Sequence, residues 1–148
     1  MKKTFWDAEA RDAALARIDR LTDATKPAWG KMTADRMLAH LAESMKMATG
    51  ELRCESKKLP IRYFPLKQLI IYVLPFPKGS PTAPELLAGA QTSVDKLQRE
   101  IRQLMTKFAA RHDARDWPEH PAFGKLSTRA WGVLTAKHFD HHLRQFGV

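Results

Sequence analysis

Residues 127–146 read STRAWGVLTAKHFDHHLRQF, and their spacing predicts one helix with Ser127 at its N-cap. On an α-helix, residues four apart are separated by about 40°, and residues three apart by about 60° the other way. His138 and His142 therefore share a face with Trp131, Leu134 and Gln145, with Thr135 and Phe146 on its flank. His141 lies about 100° from His142 and turns toward Lys137. Two imidazoles one turn apart on an apolar face can grip one metal ion. They can equally be packed or surface histidines, because the HxxxH spacing arises by chance.

The segments around this helix supply it with partners. In 91–111, Val94, Leu97, Ile101, Leu104, Met105 and Phe108 recur at three and four residues, which predicts a helix with a clean apolar seam. A further helix is expected over 33–49, with Thr33 as N-cap, Asp35 in the first turn and Gly50 as its stop. Its stripe is Met37, Leu41, Met45 and Ala48, with His40 at the edge, one turn before Ser44. A lone histidine there reads as a core or boundary residue. The first helix is expected over 7–21, with Leu15, Ile18 and Leu21 inward and Phe5 and Trp6 folding back onto the core.

Between the second and third long helices, 51–87 reads as a crossover. It holds an apolar element over 65–74 that fits either helix or strand, with Pro65 suited to a first helical turn. The Pro- and Gly-rich stretch PFPKGSPTAP follows, read as irregular loop covering one end of the helices. His112 and His120, in or beside the linker 113–126, are expected on the surface or anchoring the loop. The class that follows is all-α: a four-helix bundle with a long crossover between helices two and three, in one domain over 1–148.

Composition narrows the function. A hydrophobic share of 44% beside 28% charged residues describes a folded globule rather than a disordered chain. Two lysines open the chain without an apolar segment behind them, so no signal peptide is read, and the longest dense apolar run, 69–76, is far short of the ~20 residues that span a bilayer. Cys54 is the single cysteine, so no intrachain disulfide forms; it is expected to pack as a small hydrophobe, and a cytoplasmic address fits. The net charge of +9 is scattered rather than gathered into an arginine-rich or aromatic-interleaved module. A solvated basic surface is the reading, with neither a nucleic-acid nor a membrane partner expected.

Four stretches resemble the DinB-like (YfiT-like) metal-binding superfamily, closest to a small branch of it. They are WGKMTADRMLAHLAESMKMATGEL (29–52), PFPKGSPTAPEL (75–86), HPAFGKLSTRAW (120–131) and KHFDHHLRQFG (137–147). The resemblance implies one histidine from the second helix and an HxxxH pair from the last, here His40, His138 and His142. The superfamily's frequent ending HHRGQ stands here as HHLRQ, with Leu143 and Arg144 replacing its Arg and Gly and the ligands intact. It implies a divalent ion, Zn, Ni or Fe, held by three imidazoles with positions left open. Gln145, Glu43, Ser44 and Thr135 are the candidates to orient an imidazole through its other nitrogen, Gln145 foremost. Similar proteins include transferases that join low-molecular-weight thiols such as bacillithiol or mycothiol to electrophiles. The resemblance thus implies a metal-dependent thiol S-transferase acting on a small-molecule substrate, and a homodimer. A metal- and small-molecule-binding bundle without turnover is the alternative, with a basic nucleic-acid-associated protein behind it. No residue is nominated as a catalytic nucleophile.

Overall fold

The computed structural model describes residues 3–78 and 92–148. Helices α1 (Ala8–Ile18), α2 (Ala34–Ala48), α3 (Leu66–Tyr72), α4 (Val94–Ala109) and α5 (Thr128–Gln145) follow in order, with a 3-10 turn over Pro60–Arg62. There is no strand among the described residues; an isolated bridge joins His120 to Gly124. No described helix is long and apolar enough to cross a membrane.

The seam of α4 forms as its spacing predicts: Val94, Leu97, Ile101, Leu104, Met105 and Phe108 are all buried. Its first-turn donors find two side chains. Ser93 Oγ accepts from the Lys96 N–H, and Asp23 Oδ1 accepts from the Val94 N–H at 3.1 Å. Both bonds satisfy groups that a helix start leaves open, and Asp23 adds negative charge at the positive end of the dipole. The expected start at Gln91 lies outside the described residues.

The expected stripe of α2 is buried, but so are Leu38, Ala39, Ala42 and Met47; along this helix Arg36 alone is fully exposed. A helix that buries most of its residues and keeps its charges, Asp35, Arg36, Glu43 and Lys46, out of the core must be packed on more than one side. Accordingly α2 packs on α4 and α5, and α1 packs on the same two, closing four helices into a ring. Lys46 straps α2 to α4 by bridging Glu43 at 3.2 Å and Glu100 at 2.6 Å.

α1 is shorter than its pattern suggests. It ends at Ile18, and its buried positions are Ala14 and Ile18, with Leu15 only half-buried. Beyond Ile18 the chain tightens into a turn, the Leu21 N–H donating to the Ile18 carbonyl at 3.0 Å, which returns Leu21 to the core. Phe5 and Trp6 do fold back. The Phe5 N–H donates to the Gly132 carbonyl at 3.1 Å, and the ring meets Phe139 edge-on. Trp6 stacks on Phe108 and donates from Nε1 to the Thr128 carbonyl at 2.8 Å. So close an approach needs glycine: a Cβ at position 132 would run into Trp6 Nε1 and Thr4 Oγ1.

The apolar element of the crossover is a helix, α3, with Pro65 in its N-cap position. It leans on α5 through a second apolar cluster of Ile71, Phe123, Ala130, Val133 and Leu134. Beyond Lys78, the Pro- and Gly-rich stretch and the rest of the crossover to residue 87 lie outside the described residues.

Candidate metal centre

His40 stands midway along α2, while His138 and His142 occupy successive turns of α5; the contact between the two helices sets them face to face. The ring centroids form a near-equilateral triangle: 4.8 Å from His40 to His138, 4.7 Å from His40 to His142, and 4.9 Å from His138 to His142. The planes are inclined at 87°, 77° and 74°, so the rings meet by their edges rather than stacking. One nitrogen from each lies within 4.8 Å of the others, and the Nε2 atoms of His40 and His138 are 2.8 Å apart. Two imidazole nitrogens at that distance must share either a proton or an ion. His40 and His142 are buried, while His138 keeps partial exposure.

Hydrogen bonding fixes the tautomer of His142. Gln145 Nε2 donates to the Trp29 carbonyl at 3.1 Å, which identifies the other amide atom, Oε1, as an acceptor. Oε1 lies 2.9 Å from His142 Nδ1, so Nδ1 carries the proton. The Nε2 lone pair of His142 is left for the cluster, the role that a bond to the second ring nitrogen of a ligand histidine serves. The same turn is held by its backbone, the Ala28 N–H donating to the Gln145 carbonyl at 2.7 Å. Gly30, at φ +79°, lets the chain pass close: a Cβ there would sit 2.9 Å from Gln145 Nε2.

The electrostatics favour neutral imidazole. Burial first, then His40 and His142, hold His138 well below its ordinary value. Burial, then His40, lowers His142 to about 4, against the opposing bond to Gln145. Neutral imidazole is the form that binds metal.

The other residues expected near the site are placed as follows. Glu43 pairs with Lys46. Ser44 Oγ donates to the Leu41 carbonyl at 2.7 Å, bonding back to its own helix. Thr135 is buried one turn before His138. His120 anchors its loop: Nδ1 accepts from the Ala122 and Phe123 N–H groups at 3.0 and 3.2 Å, and burial lowers its pKa to about 3. His112 pairs with Asp113 at 3.1 Å. Cys54 is half-buried against the main core.

Comparison with known families places the chain as a whole. The family profile of the DinB superfamily matches residues 7–146. The chain belongs to the DinB superfamily. No curated protein and no solved structure matches it. In this DinB-superfamily chain the ending HHLRQ divides its labour. Leu143 is fully buried, whereas Arg144 pairs with Asp140 at 2.9 Å, and Asp140 also holds Arg17 of α1 at 2.8 Å.

His141 faces outward from the triangle, against Trp29 and Phe76 with centroids 6.1 and 5.9 Å away. Burial lowers its pKa. With Trp29, Phe76 and Lys78 it lines a groove of about 1160 Å³ that runs between α1, α5 and residues 71–78. His40, His138 and His142 do not line this groove; His141 stands between it and the triangle. Sequence reading missed the part played by Trp29, because it acts on Gln145 through a backbone carbonyl. The glycine that follows is the one trace of that close approach.

Proposed function

We propose that His40, His138 and His142 hold a divalent metal ion within a four-helix bundle whose second and third helices are joined by a crossover. The observation that carries this reading is the convergence of three imidazole edges, one of them in a tautomer fixed by Gln145. Zn, Ni and Fe all suit a set of neutral imidazoles. A divalent ion so held would supply Lewis acidity, the chemistry that favours the ionised form of a low-molecular-weight thiol. Resemblance to the thiol transferases of this superfamily supports transfer of that thiol to an electrophile. The chain's own residues hold, orient and enclose. Gln145 orients His142, the aromatic faces of Trp29 and Phe76 wall the neighbouring groove, and Lys78 brings positive charge to 4.4 Å from the Trp29 ring.

Isothermal titration with Zn and Ni tests the ligand set. His142→Ala should abolish stoichiometric binding with helix content nearly unchanged, while His141→Ala should retain it. The reverse result would remove His142 from the site. A steady-state assay with thiol and electrophile then separates the enzyme from a binder: ligand-induced stabilisation without turnover leaves a metal-holding binding protein.

A further inference from the structure

Every large hydrophobic side chain that stands exposed among the described residues falls between positions 59 and 74. α3 is the centre of this patch. It turns Ile71 into the protein, yet Leu66, Leu69 and Val73, at helical spacing, make a second apolar stripe that faces outward. Tyr63 and Phe64 stand before it, 67% and 80% exposed, and Leu74 follows it. Large apolar side chains exposed together on one short segment mark an interaction site.

Charge identifies the partner. From Ser56 to Pro84 the sequence has no acidic residue, and Lys57, Lys58, Arg62, Lys67 and Lys78 lie within that span. The adjoining loop and the first turn of α5 add two exposed cations, Lys125 and Arg129: Lys67 Nζ donates to the Lys125 carbonyl at 2.9 Å, and the Arg129 guanidinium lies 5.3 Å above the Tyr72 ring. Arg62 is paired with Glu119 at 3.4 Å. A two-fold contact with a second copy would set identical cationic patches against each other. Nucleic acid would take the cations but offers nothing to the aliphatic stripe. The headgroup boundary of an anionic bilayer takes both, apolar side chains into the acyl edge and cations at the phosphates.

We propose that the α3 face docks on the surface of an anionic lipid bilayer. The sequence reading of no membrane partner rests on the lack of a spanning segment and on scattered charge; here exposed apolar side chains stand among those charges, and the surface lies on a bilayer rather than crossing it. Val73 and Leu74 also line the groove beside His141, so docking would bring the mouth of the groove to the lipid. The surface does not depend on the histidine cluster, and metal binding serves as the folding control.

The test is co-sedimentation of the full chain with phosphatidylcholine vesicles, with and without phosphatidylglycerol, at low and high salt. The expected result is at least ~10-fold stronger partitioning to the anionic vesicles, weakened by salt. Leu66→Ser with Val73→Ser should abolish it. Lys58→Gln with Lys125→Gln should reduce it roughly thirtyfold, at about 1 kcal/mol for each lysine. All four side chains are exposed, so the fold should tolerate both pairs, checked by circular dichroism and Zn titration. Equal partitioning to both vesicle types, or none to either, overturns the proposal. So does a concentration-dependent dimer in light scattering that the Leu66→Ser, Val73→Ser variant loses, which would give the patch to a second copy.

Discussion

α2 and α3 both lie against α5, and they differ in how much of themselves they bury. On α2 only Arg36 is fully exposed; on α3 only Ile71 is fully buried. A polar group on α2 is therefore costly unless it is satisfied, and its two buried polar residues each find an answer. Ser44 bonds to its own helix, and His40 meets two other imidazoles. A side chain on the outer face of α3 carries no such requirement. A histidine on α2 thus carries information that the same residue on α3 would not, and the apolar stripe on α3 carries information that leucines on α2 do not.

The contrast is broken most forcefully in the core. Leu41→Ala should lower the free energy of unfolding by about 2–5 kcal/mol, the range for emptying a packed leucine site. Urea denaturation measures it, and a loss below about 1 kcal/mol would mean that Leu41 is not packed between α2 and its neighbours as described. Acid comes next. The ordinary histidine pKa is near 6.5, and His120 and His142 stand at about 3 and about 4 in the folded chain. Between those values the unfolded chain binds more protons, so stability is complete above about 6.5 and falls as pH drops toward 3. Urea midpoints of metal-free protein at pH 7 and pH 5 should differ in that direction; a higher midpoint at pH 5 would contradict the burial of these rings.

A smaller effect is expected at the site's support. Gln145→Ala should weaken metal affinity by ~10-fold or more, with His142 still present but free to turn. Titration of the variant with Zn reads it, and unchanged affinity would reduce Gln145 to packing. Smallest of all is Leu66→Ala on the outer face of α3, expected to change unfolding free energy by no more than about 0.5 kcal/mol in the absence of vesicles. A loss comparable to that of Leu41→Ala would show that the patch is covered within the protein.

What the sequence made legible follows the strength of the burial pattern. α4 was readable almost residue by residue, because its apolar positions are large and the rest of the helix is polar. The HxxxH pair was readable from helix geometry, and the family resemblance singled out His40. α1 was legible in part: Ile18 and Leu21 are buried and Leu15 packs partly on the core, but no side-chain pattern marks the end at Ile18 or the burial of Ala14, small and weakly apolar. The type of α3 stayed open because a short run such as Leu-Ile-Ile-Tyr satisfies helix and strand alike. The support of His142 was half legible. Gln145 lies one turn on, but its partner is the carbonyl of Trp29, a group every residue possesses and no side chain announces.

Gly132 has a consequence for where this domain can be cut. The family match begins at Asp7, yet Phe5 is in the core and Trp6 stacks on Phe108, with Thr4 and Trp6 seated over a glycine that leaves them room. Residues 4–6 are thus an interior part supplied from outside the family boundary. A fragment trimmed to 7–146 would bare the faces of Phe108 and Phe139 and leave an unfilled notch along α5. The smallest unit that carries its own core starts upstream of the span by which its kinship is recognised.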